Sequence, residues 1–220
     1  MWSFATSVVY LDRICQRILY FELSCENSTV QEQDGNPIAS ADEKVNGMAQ
    51  VSRNENLNKM AHIIDAIILK GPYFEEEARK YDLIGVPLDF DLTMFFIDED
   101  FTAYWQSKLN TTGFLETNCP YPNKMVIYEL MKRICKSELM EYAVISTAYV
   151  GGMGEQFANL YRKDQNVDLS INTISDALRF LGVKKGSHDD EFDAVGLGRY
   201  RSNPHFLNKY GKLKLLDDSE

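Results

Sequence analysis

No two of the four cysteines, Cys15, Cys25, Cys119 and Cys135, stand in a CxxC pair, and the three histidines, His62, His188 and His205, form no H-x-H or H-x-x-x-H set. A zinc-finger pattern is therefore missing, and so is a disulfide framework. No metal or other cofactor is expected, and a reducing cytoplasm is the expected compartment. Positive charge is also scarce. With 23 Lys and Arg against 33 Asp and Glu the formal net charge is −10 and the pI about 4.9. Such a field repels phosphate backbones and anionic lipid, so nucleic acid is not an expected partner. It attracts basic protein surfaces and speeds encounter with them. The plainer alternative is that the charge only keeps the chain in solution.

Long apolar runs are absent too. The opening MWSFATSVVYLDRICQRILYFELSC has no basic leader, and Asp12, Arg13 and Arg17 interrupt it, far short of the ~20 apolar residues of a membrane span. Its Phe4, Val8, Leu11, Ile14, Ile18 and Phe21 fall on one helical stripe, which predicts an amphipathic helical extension over 1–24. The stripe needs cover from the main domain, a second copy or a membrane surface, in that order, because its polar face is not lysine-rich. Residues 25–59 hold few large apolar side chains and many Asn, Glu, Gln and Ser, and read as a flexible polar linker. At Met60 the character changes to MAHIIDAIILKG, a normal start for a compact domain over 60–220.

What is present is a foldable core: 45% hydrophobic residues, with 12 Phe and 12 Tyr. HIIDAIILK reads as a strand covered on both faces. YFEEEARKY reads as a short helix with acids leading and Arg79 and Lys80 trailing. DLIGVPLDFDLTMFFID reads as a half-buried strand with Leu88, Phe90, Leu92 and Met94 on one face and Asp89, Asp91 and Thr93 on the other. DEDFTAYWQSKL predicts a helix, NTTGFLETNCPYPN a loop, and KMVIYELMKRICKSELMEY a helix carrying Val126, Leu130, Ile134 and Leu139. Cys135 reads as a core residue of that helix and Cys119 as a loop residue. AVISTAYV is strand again. EQFANLYRKDQNVDLSI fits a helix through Phe157, Leu160 and Tyr161, or a strand that ends at Asp164. TISDALRFL is a helix capped by Asn172 or Thr173 and stopped by Gly182. A short helical piece is expected around 189–195. The elements mix without strict βαβ alternation, so the fold class is α+β, an antiparallel or mixed sheet packed on helices.

The stretch VGGMGEQ concentrates three glycines. A phosphate loop needs converging backbone N–H groups followed by a helix N-terminus. Here Gly151, Gly152 and Gly154 match neither G-x-G-x-x-G nor the Walker pattern, and Glu155 would put a negative charge where the anion belongs. The favoured reading is a chain reversal between two strands, with Tyr149, Glu155 and Gln156 facing something at the turn. Arg199 and Arg201, at i and i+2, can grip a carboxylate or phosphate, or neutralise the acids of HDDEFD. Asp89 and Asp91 read as a solvated strand face. Asp65 in its isoleucine strand is costly if buried and costless at an edge. There is no G-x-S-x-G elbow, and Ser146 and Thr147 are ordinary strand hydroxyls.

Two functions remain. One is a small cytosolic acidic protein that binds a protein partner, with an inhibitor or immunity-type role in keeping with its charge. The other is an enzyme whose site lies near Gly151–Gln156 and the Arg199/Arg201 pair. An enzyme would gather those residues around one hollow, whereas a binding module would leave them dispersed on an open surface.

Overall fold

The computed structural model describes residues 61–150, 153–186 and 190–217. The expected helical extension and polar linker lie outside them, as do Gly151, Gly152 and His188.

The isoleucine-rich segment forms β1, Ala61–Lys70. It is followed by α1 (Glu75–Lys80), β2 (Gly85–Pro87), β3 (Leu92–Phe96), α2 (Glu99–Lys108) and α3 (Val126–Ile134). Then come β4 (Glu141–Val150), β5 (Met153–Arg162), β6 (Gln165–Asn166), α4 (Ile174–Leu181), α5 (Glu191–Ala194) and α6 (Asn208–Asp217). The fold is α+β: the six strands make one sheet in the order β2-β3-β1-β4-β5-β6, and every named pair is antiparallel.

Register assigns side chains to the two faces. His62, Ile64, Ala66 and Ile68 of β1 stand beside Tyr149, Thr147, Ile145 and Ala143 of β4, and these beside Gly154, Gln156, Ala158 and Leu160 of β5. This first face lies under α4, whose buried Ile174, Ala177, Leu178 and Leu181 share one stripe, and α4 rests on β4 and β5. The second face carries Ile63, Asp65, Ile67 and Leu69, then Ala148, Ser146, Val144 and Tyr142, then Glu155, Phe157, Asn159 and Tyr161. Its inner half is closed by Tyr73 on Phe95 and by the segment leading into α3, where Asn123 bonds the Tyr161 hydroxyl. Ile67 and Ile68 are both fully buried, which is why the run is apolar at consecutive positions.

Local signals set the helix ends. The Thr173 hydroxyl accepts from Asp176 N–H at 3.1 Å, and Gly182 closes α4 at φ 104°, where only glycine is unstrained. Asp98 caps α2 by accepting from Phe101 N–H at 2.7 Å. Acids lead and Arg79 and Lys80 trail in α1.

Three expectations are corrected. Residues 82–98 are not one strand: β2 and β3 pair as a hairpin, and the chain turns through Phe90 (φ 64°) and Asp91 (φ 56°). Asp89 and Asp91 are therefore turn residues, and Phe90 is exposed. The helix expected to reach residue 142 stops at Ile134, because Phe74 N–H takes the Ile134 carbonyl at 2.8 Å and Tyr73 bridges Cys135. Leu139 is left exposed and Tyr142 joins β4. Cys135, expected in the core, is the half-buried residue that ends α3, its thiol pushed up to about 12 by burial. Where EQFANLYR fitted two states, it is strand, packed along β4.

Candidate functional site

Pairing alone carries the β4–β5 hairpin outward. Ten consecutive residue pairs join the two strands, from Glu141↔Arg162 to Val150↔Met153, about 30 Å of ladder. Val150 and Met153 leave two residues between the strands, Gly151 and Gly152, which lie outside the described residues. The third glycine has a packing reason. A Cβ on Gly154 would stand 2.0 Å from the Ala148 carbonyl oxygen and 2.6 Å from Tyr149 Cα. Both contacts are with backbone, which cannot step aside as a side-chain tip can. Gly154→Ala is expected to prise apart the outer end of the hairpin. Because that end is solvent-exposed, the cost in global stability is about 1 kcal/mol, with loss of amide-exchange protection confined to the outer pairs. Exchange mapped residue by residue distinguishes this from global destabilisation.

The two faces of this outer end differ. On the first, His62 and Thr147 are buried. The Thr147 hydroxyl accepts from Ile64 N–H at 3.1 Å and donates to the His62 carbonyl at 3.3 Å. Its remaining contact is with His62 Nδ1 at 2.8 Å. Nε2 is buried without a hydrogen-bond partner, and Phe192 of α5 closes over the ring at 5.1 Å. Burial pushes the imidazole below its usual range; the Leu197 main chain opposes this, and the Arg201 charge adds to it.

On the second face the outer end is open. Ile63 is 45% exposed, Met153 80%, Glu155 is exposed, and Asp65, Ser146, Ala148 and Phe157 are half-buried. Tyr121 meets the Phe157 ring at 5.7 Å. Acids border this surface. Burial pushes the Asp98 carboxyl up against the pull of Phe101 N–H, and the charges of Asp100, Asp65 and Glu99 push it further. Asp65 lies on a central strand, not an edge; it escapes full burial because its face is uncovered at that end.

The predicted residues divide between two places. Tyr149, Gly154, Glu155 and Gln156 share the hairpin's outer end, with Tyr149 opposite Gly154. Arg199 and Arg201 are exposed on the segment that follows α5. That segment fills the place beside β1 that β3 vacates. The Arg201 carbonyl accepts from Ile63 N–H at 2.9 Å, Ser202 bridges Ile63 in parallel, and the Asn203 side chain joins Asp65 N–H at 3.0 Å to the Ile97 carbonyl at 3.1 Å. Arg201 is thus three strand spacings, about 14 Å along the sheet, from Glu155. Among the described residues, Arg199 and Arg201 make no ion pair with Asp190, Glu191 or Asp193, and Glu191 is held by Arg179 at 2.9 Å.

Sequence reasoning passed over Ile63, Met153 and Phe157. An isoleucine inside an apolar strand gives no sign that its face is open at one end. A groove of about 440 Å³ is lined by Ser170, Ile171, Asp176, Arg179 and Phe180, none of them a predicted site residue. Its guanidinium is already engaged by Asp176 and Glu191. Among the described residues no set of His, Cys, Asp and Glu is grouped to hold a metal ion, and no helix is long and apolar enough to cross a membrane. The chain matches no family model, no curated protein and no solved structure.

Proposed function

We propose that this is a small cytosolic interaction protein that engages a basic protein partner through the outer end of the β4–β5 hairpin. The observation that carries the reading is the open half of the second sheet face, where Met153 and Phe157 flank Glu155 along β5 and Ile63 lies across Ala148 from it, with Asp65 and Asp98 at the margin. Apolar anchors ringed by charge of one sign are the composition of a protein-docking surface. An acidic rim in a chain of net charge −10 favours a basic counterpart. An inhibitor or immunity-type role is compatible with this chemistry. The enzymatic alternative draws less support, since Glu155 and Gln156 are exposed on one edge and Arg201 lies across the sheet from them.

A photo-reactive amino acid at position 153, introduced into the full chain in cells, is expected to give a discrete adduct whose yield falls with added salt. The same group at position 213, on exposed Leu213 of α6, is expected to give none. Equal adducts at both positions, or none at 153, would sink the proposal.

A further inference from the structure

We infer that the hairpin's outer edge is a strand-addition site, which takes an extended segment with a lysine or arginine at its centre and apolar residues two positions to either side. This rests on the protein-binding reading above and specifies its mode.

The direction of the free backbone groups follows from β5's inner half. Ala158 N–H donates outward to the Asn172 carbonyl at 3.1 Å, the Leu160 carbonyl accepts outward from Val167 N–H at 2.9 Å, and Arg162 pairs with Gln165. Backbone groups alternate along an antiparallel strand, so Gly154 and Gln156 present their N–H and C=O groups outward as well. Among the described residues no strand meets them: β6 reaches only Tyr161 and Arg162. The two edges of the sheet are built differently. β2 is three residues long and ends at Pro87, which blunts it against pairing. β5 is ten residues long, and its outer half, Met153–Phe157, has no proline and no lysine. An edge left open on one side and blunted on the other is arranged for addition of a strand.

Side chains on that edge define the guest. Met153, Glu155 and Phe157 point to the second face, so an added strand sets three alternate residues beside them, apolar, basic and apolar. Gly154 and Gln156 on the other face put little bulk in its way. A second copy of this chain is a poor guest. Two β5 edges centred on Glu155 would set that carboxylate against itself, and centred on Gln156 they would set Gly154 against Ala158, whose N–H is already taken.

The test uses the full chain and short synthetic peptides alternating threonine with valine, lysine and valine. Saturable binding is expected, with slowed amide exchange at Gly154 and Gln156. N-methylating the peptide amides that face the edge is expected to weaken binding about tenfold or more, since each lost backbone hydrogen bond leaves a group unpaired. Gln156→Pro removes an outward N–H without touching the β4 ladder and is expected to do the same. Glu155→Lys is expected to exchange preference for the lysine peptide for one centred on glutamate. Binding indifferent to N-methylation and to Gln156→Pro would overturn strand addition while leaving the docking face intact. Failure of every peptide, with the position 153 adduct still formed, would overturn strand addition alone; loss of the adduct as well would remove both.

Discussion

Asn159→Ala is expected to lower stability by about 2–4 kcal/mol and to release the loop over residues 115–124. Asn159 is 3% exposed in the middle of β5. Its Oδ1 accepts from the Thr117 hydroxyl at 3.0 Å and from Asn118 N–H at 3.3 Å, and its Nδ2 reaches Cys119 Sγ at 2.9 Å. Two residues along, the Tyr161 hydroxyl donates to the Glu116 carbonyl at 3.0 Å. Truncation at 159 leaves loop donors facing an apolar sheet and opens a void beneath them, and both costs fall on the same element. The Cys119 thiol reports the event. Burial pushes it up, against the hydrogen bonds from Asn159 and Thr117, so alkylation of the native protein at pH 7 should be slow. Denaturant unfolding should show the lost stability, and Cys119 alkylation should accelerate by more than the change in global unfolding accounts for. An unchanged alkylation rate would show that the loop is held by something else.

The second large effect is on pH. His62 is held neutral by burial and carries a lowered pKa, whereas the unfolded chain takes up its proton near the ordinary value of about 6.5. Above that pH both states are neutral and His62 contributes no pH dependence. As the pH falls below it, the unfolded state gains a proton that the folded state refuses. Stability then drops by up to about 1.4 kcal/mol per pH unit until the folded pKa is passed. The charge facing the ring is Arg201, which sharpens the refusal. Melting temperatures measured from pH 7 to pH 5 should fall for the native chain and fall less for His62→Gln, which keeps polar contact with Thr147 and cannot be protonated. Parallel profiles would place the acid sensitivity elsewhere.

Much of the fold is legible in residue order, and the reasons are local. The isoleucine run marks β1, the Thr173 cap and Gly182 stop mark α4, and the leading acids mark α1, because each signal acts over a few neighbouring residues. Reading failed where a distant partner decided. The segment after Ile134 has helical periodicity but ends in extended backbone because Phe74 claims the last carbonyl. Residues 82–98 carry β-formers through most of their length, yet the chain folds back at Phe90 and Asp91.

The candidate site divides the same way. Read in the sequence as part of the chain reversal, Gly154 lies inside β5, and the reason it is needed, the Ala148 carbonyl where a Cβ would stand, exists only once β4 and β5 are paired. Residue order by itself determined the α+β class and the acidity, since composition and short-range periodicity are written in the chain. Tertiary structure alone decided that Arg201 lies strands away from Glu155, that His62 is buried while Ile63 beside it is open, and that β6 covers only the inner end of β5. Those are facts about which strand lies beside which, and strand order depends on pairings between residues far apart in sequence.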